Sequence, residues 1–232
     1  GQVNLLSDLT LDAYNQGLTL TAGTLNLNTR TVSVYSSAYS TGTLAVNGAV
    51  TVAGTGTLST YVYTQSGASS SLGFSAAATF VVGSGGFALA NGTFTASGAT
   101  VDLNGAFTQS GGTFNAPAGN LYVAGNWTHT AGGTFNHNNG NVTLDGGSAS
   151  IDVAGTETFY NLTINKNNGN AVYVGNGETL RTLGALMLAN GFVSSSGGTT
   201  YLEAQGNVTV GLDYDGGSTT LLFAGSVNQN FD

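Results

Sequence analysis

Eleven acidic side chains are the residues of this sequence that could do chemistry, because two carboxylates can act as general acid and general base. Asp213 and Asp215, in the segment GLDYDGGS, are the closest pair; as a strand the segment would put both on one face, and otherwise it is a turn. Asp102 and Asp145 fall at different positions of a repeat, so we do not expect them to converge. We therefore expect the acids to lie on a solvated surface and predict no catalytic residue. The other acids are Asp8, Asp12, Asp152, Glu157, Glu178, Glu203 and Asp232.

Two histidines, His129 and His137, flank the phrase GGTF in WTHTAGGTFNHNNG. Metal sites in proteins draw on three or four ligands, and no cysteine or acid near this pair completes such a set. We therefore predict surface or turn positions for both histidines, no metal site and no cofactor. The glycine-rich segment GNGETL (residues 175–180) is likewise interpreted as a turn.

Charge and composition argue against several classes of protein. The only basic residues are Arg30, Lys166 and Arg181, and the net charge is −8, so we expect no nucleic-acid partner. No stretch approaches the roughly 18 apolar residues of a membrane-spanning helix, so we predict no transmembrane segment. Glycine accounts for 37 of 232 residues, but 41% of the residues are hydrophobic. Disordered chains lack that apolar content, so we expect a folded protein.

Short apolar/polar alternation is the main structural signal along the chain. Runs such as LTLDA, TVSV, VTVAG and VYV indicate strands of a few residues, bounded by Gly, Asn and Ser turns. The strands belong to a repeat. VDLNGAF (residues 101–107) aligns with LYVAGNW (121–127), which aligns with VTLDGGS (142–148), and the phrase GTF recurs at 92–94, 112–114 and 133–135. The spacing is 20 or 21 residues in every case.

Further similar segments extend the repeat toward both ends of the chain. GTLNL (residues 23–27) and GTLAV (42–46) are 19 residues apart, and LEAQGNV (202–208) resembles residues 121–127. A unit of about 20 residues with two or three short strands fits one coil of a solenoid, since a propeller blade needs roughly 40 residues and a sandwich has no fixed repeat. The sequence therefore predicts an all-β fold, a parallel β-helix (β-solenoid) of roughly 11–12 coils.

In a solenoid, equivalent residues stack along the axis, and the repeat therefore predicts two structural aromatic ladders. Phe87, Phe107 and Trp127 form one, and Phe94, Phe114 and Phe135 form the other. We interpret residues 1–22 as an N-terminal cap or docking strand and residues 23–232 as solenoid repeats. Since residues 221–232 align with residues 142–153, the chain is expected to end inside a repeat unit.

Three longer segments resemble a known family. They are GNWTHTAGGTFNHNNGNVTLDGG (residues 125–147), TFYNLTINKNNGNAVYVGNGETL (158–180) and LGALMLANGFVSSSGGTTYLEAQGNVTV (183–210). In style they are similar to repeats of bacterial surface β-helix proteins, the filamentous-haemagglutinin-like and autotransporter adhesins. The resemblance implies a right-handed parallel β-helix, an extracellular location, a non-enzymatic role and adhesion to itself or to a surface. It supplies no functional residues.

The sequence thus leads to two hypotheses. The first is a non-enzymatic extracellular structural protein, either an adhesin stalk or a filament subunit that stacks head to tail through open solenoid edges. Its partners would be further copies, the remainder of a longer surface protein, or a glycan or host surface. The alternative is a carbohydrate-active β-helix enzyme or a sugar-binding module. Acids and aromatics grouped on one exterior face favour the alternative, whereas aromatics confined to interior ladders favour the first. The binding residues are unknown from sequence.

Overall fold

A computed structural model describes residues 1–36 and 38–232, and every regular element in this part of the chain is a β-strand. The first strands are β1 (Gln2–Asn4), β2 (Leu9–Thr10), β3 (Gly17–Leu20), β4 (Gly23–Asn26), β5 (Thr31–Val34), β6 (Thr43–Val46), β7 (Ala49–Ala53), β8 (Thr57–Gln65), β9 (Ser71–Phe74), β10 (Thr79–Leu89), β11 (Thr93–Thr95), β12 (Thr100–Leu103) and β13 (Phe107–Gln109). They are followed by β14 (Thr113–Asn115), β15 (Asn120–Val123), β16 (Trp127–His129), β17 (Thr134–Asn136), β18 (Asn141–Gly146), β19 (Ala149–Val153), β20 (Thr156–Phe159), β21 (Asn161–Lys166), β22 (Ala171–Val174), β23 (Thr179–Thr182), β24 (Leu186–Ser195), β25 (Tyr201–Ala204), β26 (Val208–Gly216) and β27 (Thr220–Phe223).

The strands pair in parallel with their equivalents one coil away and form three faces. Face 1 holds β2, β5, β12, β15, β18, β21 and the first parts of β8, β10, β24 and β26. Face 2 holds β3, β6, β13, β16, β19, β22 and the later parts of β8, β10 and β24. Face 3 holds β1, β4, β7, β9, β11, β14 and β17, and then β20, β23, β25 and β27. The predicted parallel β-solenoid is confirmed.

The coils are longer than the sequence indicated, with about 22 residues per turn and about ten turns. In the middle of the chain the spacing is as expected, since Val101 pairs with Leu121. Elsewhere it is larger: Thr24 pairs with Thr51, and Trp127 pairs with Ile151. The extra residues lie between strands, at the corners, where the parallel ladder does not fix the length of chain. The prediction of 11–12 coils was therefore too high.

Two of the sequence alignments were wrong because they compared strands on different faces. Residues 23–26 pair with residues 50–53 on face 3, whereas residues 43–46 pair with residues 17–20 on face 2. At the other end, β25 lies on face 3 between β23 and β27, whereas residues 121–123 belong to face 1. All faces alternate apolar and polar residues, so a strand on one face resembles a strand on another.

The alignment of residues 221–232 with residues 142–153 also compares different faces, because β27 lies on face 3 and β18 lies on face 1. The alignment of residues 142–148 with residues 121–127 fails for a different reason. Residues 142–144 stack on residues 121–123 as expected, but Ile151 rather than Ser148 lies opposite Trp127. The corner between β18 and β19 contains additional residues, Gly147 and Ser148, and both are exposed. The misalignment therefore arises at one insertion, and the strands on either side keep their parallel pairing.

The core is a continuous interior of apolar side chains from all three faces. Strands such as β5 and β12 alternate half-buried Thr, Ser or Asp with fully buried Val or Leu. Apolar area removed from water is the main stabilising contribution to such a fold, about 25 cal/mol per Å². Because each coil alone has only a thin interior, the core depends on stacking between coils.

The structure stacks the two sets of aromatic residues along the axis. Phe87, Phe107 and Trp127 are in register on face 2, with ring centroids 5.6 and 4.2 Å apart. On face 3, Phe94, Phe114 and Phe135 are in register, with centroids 4.9 and 5.8 Å apart.

The two ladders also touch across the interior. The rings of Phe107 and Phe114 meet edge to face at 5.1 Å, the geometry that the quadrupoles of aromatic rings favour. Five of the six rings are buried, namely Phe87, Phe107, Trp127, Phe94 and Phe114, whereas Phe135 is only half-buried.

Gly112 has a defined role at the corner before face 3. Its φ is +67°, in the left-handed region, and a Cβ on this residue would lie 2.4 Å from the carbonyl oxygen of Gly92 in the coil before. Only glycine allows both the turn and this close approach of successive coils. The glycine therefore turns the chain so that Phe114 enters the interior.

Residues 2–20 form the first coil. Strands β1, β2 and β3 pair in parallel with β4, β5 and β6. The large side chains of this coil are more exposed than those that follow, with Val3 at 60% and Leu6 at 85%. At the other end, β27 pairs with β25, and Phe223 and Phe231 are exposed.

Candidate functional site

Face 3 is interrupted between β17 and β20. The strands β1 to β17 of this face form a seven-stranded sheet, and β20, β23, β25 and β27 form a separate four-stranded sheet. Faces 1 and 2 continue through the same coils, because β18 pairs with β21 and β16 pairs with β19. At the interruption the surface opens into a cleft of about 660 Å³, which we call the β17–β20 cleft.

Glu157 lies at the base of this cleft. In the next coils of face 3 the equivalent inward positions are Leu180 and Leu202, so a carboxylate here replaces an aliphatic side chain. Glu157 is only 4% exposed. Its Oε2 accepts hydrogen bonds from Nε1 of Trp127 at 2.9 Å and from Nδ1 of His129 at 2.7 Å.

The second carboxylate oxygen of Glu157 is free. Among the described residues no donor bonds to Oε1. The atom is not one of the fully buried polar atoms that lack a partner, so it keeps some exposure. Because Glu157 lines the cleft, the oxygen that retains exposure is open to it. The site therefore presents one fixed acceptor that keeps both of its lone-pair directions.

His129 completes the buried polar group. The hydrogen bond to Glu157 raises the pKa of the imidazole above its ordinary value; burial opposes this shift, and the carboxylate charge and the Gly133 carbonyl add to it. The histidine is therefore disposed to be a cation that neutralises Glu157. Its Nε2 is buried and makes no hydrogen bond of good geometry with the described residues. The Trp127–Glu157–His129 contact thus combines a charged pair with an anchoring indole N–H.

The coil before shows the neutral version of this corner. Gln109 is in register with His129, and its Nε2 donates to the carbonyl oxygens of Gly112 at 3.2 Å and Thr134 at 2.9 Å. A glutamine at this position satisfies the carbonyls of the corner without any charge. The change from glutamine to histidine coincides with the appearance of Glu157 and the interruption of face 3.

The rim of the cleft is polar. Thr134, Asn136, Asn138 and Asn139 line one side, and Thr156 and Thr158 line the other. Two of the asparagines are held by the preceding coil: Asn136 donates to the side chain of Asn115, and Asn138 donates to the carbonyl oxygen of Ala116, both at 2.8 Å. The half-buried ring of Phe135 adds an apolar patch and meets Phe159 at 5.9 Å.

The sequence expectations for the histidines are partly wrong. His137 does lie at a turn, where its Nδ1 accepts from the backbone N–H of Asn139 at 3.0 Å and its ring stacks on Tyr160 at 5.9 Å. His129, in contrast, points into the interior, with 16% of its side chain exposed. Strict alternation from Trp127 would have indicated this, because residues two apart on a strand share a face.

The expectation of surface carboxylates also needs correction. Glu157 and Glu178 are buried; Glu178 accepts from the backbone N–H groups of Val153 and Gly175, at 2.9 and 3.1 Å. Within GNGETL the predicted turn is at residues 176–177, whereas Thr179 and Leu180 already belong to β23. Asp213 and Asp215 are exposed on β26 and flank the half-buried Tyr214, so they share the outer side of that strand.

Asp102 and Asp145 lie two coils apart and at different positions of the repeat, as the sequence indicated. Both point outward from face 1, where Asp102 pairs with Tyr122 and Tyr122 with Thr143. Partial burial raises the pKa of each carboxyl, and the charge of Asp102 raises the pKa of Asp145 further. The two carboxyls therefore share the outer side of face 1 without contact between them, and Lys166 opposes the rise in the pKa of Asp145; we call them the outer acidic pair.

Lys166 is a buried base that sequence reasoning missed. Its Nζ donates to the backbone carbonyl of Ala124 at 3.2 Å and to that of Asp145, so one side chain joins three coils. Burial lowers the pKa of Lys166 to about 8, against the opposing effect of Asp145. The alternation in NLTINK contained the signal, because Leu162, Ile164 and Lys166 are on one side of β21.

Searches for relatives and for common site types add no identification. No protein-family model, curated protein or solved structure matches the chain. Within residues 1–36 and 38–232, no group of three or more His, Asp or Glu side chains is arranged to hold a metal ion. The same part of the chain contains no helix with the length and apolar character needed to span a bilayer.

Proposed function

We propose that this protein is a non-enzymatic extracellular structural rod, either the stalk of an adhesin or a filament subunit. The observation that carries the proposal is the interior, in which aromatic and aliphatic side chains stack continuously from coil to coil. About ten coils at the parallel strand spacing give a rod of roughly 50 Å. Nine of the 22 aromatic side chains, including the single tryptophan, are buried in this interior and contribute to the rigidity of the rod.

The first and last coils support an end-to-end role. Strand β1 pairs only with β4, and β27 pairs only with β25, so each has one edge without a partner strand among the described residues. Exposed apolar side chains accompany these edges, including Leu6 at one end and Phe223 at the other. Unpaired strand edges bind further strands through backbone hydrogen bonds. More of the same chain or a second copy would continue the solenoid in the same way.

The extracellular location rests on the resemblance of residues 125–147 and 183–210 to repeats of bacterial surface β-helix proteins. The absence of cysteine and the low proportion of charged residues, 6%, are compatible with that class. The partners in this proposal are further copies, the rest of a longer surface protein, or a glycan or host surface.

Electron microscopy of the purified protein tests the filament form of the proposal. Fibres at micromolar concentration, with fibre diffraction at about 4.8 Å along the axis, support head-to-tail stacking. Monodisperse rods of roughly 50 Å contradict the filament and favour the stalk. The stalk form is tested by surface proteolysis of producing cells, where protection of the protein in intact cells would contradict an extracellular location.

The outer acidic pair favours a second candidate, a carbohydrate-active enzyme. Asp102 and Asp145 share one exterior face, and the pKa of each is raised, which is the environment of a carboxyl acting as general acid. The test is depolymerisation of a panel of polysaccharides by the parent protein and by Asp145→Asn. Turnover that disappears in the variant would replace the structural proposal.

A further inference from the structure

We propose that the β17–β20 cleft is a binding site for a neutral carbohydrate, with Oε1 of Glu157 accepting hydrogen bonds from the sugar hydroxyls. The inference concerns a site on the side of the rod and is independent of how the ends of the rod are used. No feature of the stacked core requires this site.

The first step of the argument is the position of Glu157. The equivalent residues of the following coils, Leu180 and Leu202, are buried in the core, and a third leucine here would continue the ladder. A buried carboxylate loses hydration, and a buried ion pair is often no more stable than apolar residues of the same size. Glu157 therefore places a buried charge, held by two hydrogen bonds, at the one level where face 3 opens, and such positions are characteristic of binding sites.

The second step is that the carboxylate is held in place by hydrogen bonds to one of its two oxygens, and the other oxygen has no donor within the described part of the chain. Nε1 of Trp127 and Nδ1 of His129 both bond to Oε2, and both residues lie on β16, a strand paired on each side. Oε1 retains its exposure at the base of the cleft. A ligand hydroxyl that bonds to Oε1 meets a preorganised acceptor and needs no rearrangement of the protein.

The third step is the chemistry of the walls. Thr134, Asn136, Thr156 and Thr158 offer hydroxyl and amide groups, which both donate and accept hydrogen bonds, as sugar hydroxyls do. The half-buried ring of Phe135 provides an apolar face for the C–H groups of a pyranose. The volume of about 660 Å³ lies in the range of small-ligand sites.

Charge selects a neutral ligand. Among the residues that the structure describes, no lysine or arginine lines the cleft, so a phosphate or carboxylate ligand would find His129 as the one cation of the lining, and His129 is already paired with Glu157. A cationic ligand would compete with His129, which already bonds to the carboxylate. An apolar ligand would leave the threonine and asparagine side chains without partners. A neutral polyhydroxylated ligand avoids all three costs.

The single tryptophan provides a direct test, because Trp127 donates to the same carboxylate. The full chain is titrated with neutral hexoses and short neutral oligosaccharides while tryptophan emission is recorded, with glucuronic acid and glucosamine as charged counterparts. We expect a saturable change with at least one neutral sugar. Glu157→Gln keeps the size of the side chain and an acceptor for Trp127 but removes the charge, and it should weaken binding about 10-fold or more.

Two further variants keep the test decisive. Asp213→Asn makes the same carboxylate-to-amide change at an exposed position of β26, and it should leave the affinity unchanged. Thr156→Val removes only a hydroxyl at the exposed rim; weaker binding in this variant supports the site even if Glu157→Gln fails to fold. The proposal is overturned if no neutral sugar gives a saturable change, if glucuronic acid binds equally well, or if a folded Glu157→Gln variant binds as tightly as the parent.

Discussion

Two parts of the chain stack their coils in different ways. They are residues 79–136, which we call the aromatic segment, and residues 141–223, which we call the C-terminal segment. In the aromatic segment the paired strands are 20 or 21 residues apart, as for Phe94 and Phe114, and like residues stack on like. In the C-terminal segment the spacing varies from 19 for Tyr201 and Thr220 to 25 for Asn165 and Asn190, and the interior is mostly aliphatic. Aromatic rings stack where the corners are uniform, whereas aliphatic side chains stack where the corners vary in length.

The corners also differ in how they satisfy their backbone carbonyls. In the aromatic segment Gln109 donates to the carbonyls of Gly112 and Thr134. In the C-terminal segment Lys166 donates to those of Ala124 and Asp145. An amide performs this function without charge, whereas a lysine introduces a charge whose burial is unfavourable. The comparison therefore predicts that the buried Lys166 of the C-terminal segment makes stability depend on pH, whereas the corner glutamine of the aromatic segment does not.

The largest effect should come from the aromatic segment. Phe114→Ala removes a fully buried ring that contacts both ladders and should lower the free energy of unfolding by about 3–5 kcal/mol. The matched control is Phe223→Ala in the last coil, where the ring is 51% exposed and the loss should be below about 1 kcal/mol. Chemical denaturation followed by circular dichroism measures both. Equal losses in the two variants would remove the energetic distinction between the segments.

The next largest effect should come from the junction between the segments. Glu157→Leu continues the leucine ladder of face 3 but leaves the indole N–H of Trp127 and the imidazole of His129 without their acceptor. We expect a net loss of about 2–3 kcal/mol, because unpaired buried donors are unfavourable. Denaturation curves measured by Trp127 emission give the value. A more stable variant would mean that the leucine packing outweighs the lost bonds.

Lys166 should produce a pH dependence confined to the C-terminal segment. Its pKa is lowered to about 8 in the folded protein from 10.5, so above about pH 8 the unfolded chain binds more protons and stability rises with pH. The rise should be about 2 kcal/mol between about pH 8 and about pH 9.5. Lys166→Met should abolish it. Burial raises the pKa of Tyr63, which reverses the trend at higher pH, so the measurement stays below about pH 9.5.

The smallest effect should come from His129. Its pKa is raised in the folded protein, so the contribution of the pair with Glu157 is complete below about pH 6.5, the ordinary pKa of histidine, and is lost as pH rises through the folded value. Unfolding measured between about pH 6 and about pH 7.5 should show falling stability in the parent. His129→Gln, which copies Gln109, should flatten the curve. An unchanged slope would show that the pair contributes no pH dependence.

The architecture could be predicted from the sequence, but the β17–β20 cleft could not. Alternation and the recurring Gly-Thr-Phe phrase predicted parallel coils because, between residues 79 and 136, the repeat in sequence equals the repeat in space. Outside that region, residues 23–27 were matched to the wrong face, since strands on all three faces share one apolar/polar pattern. The contact of Glu157 with His129 joins residues 28 positions apart, more than one 20-residue period, across a corner of irregular length. No local pattern encodes that distance.

The interruption between β17 and β20 has a mechanical consequence. At every level from β1 to β17 a coil is joined to the next by ladders on three faces, but at the interruption the ladders of faces 1 and 2 alone continue. A triangular rod whose coils are joined on two faces resists bending toward or away from the third face less than a rod joined on all three. We therefore expect the rod to bend most easily at the level of its polar cleft, toward or away from face 3.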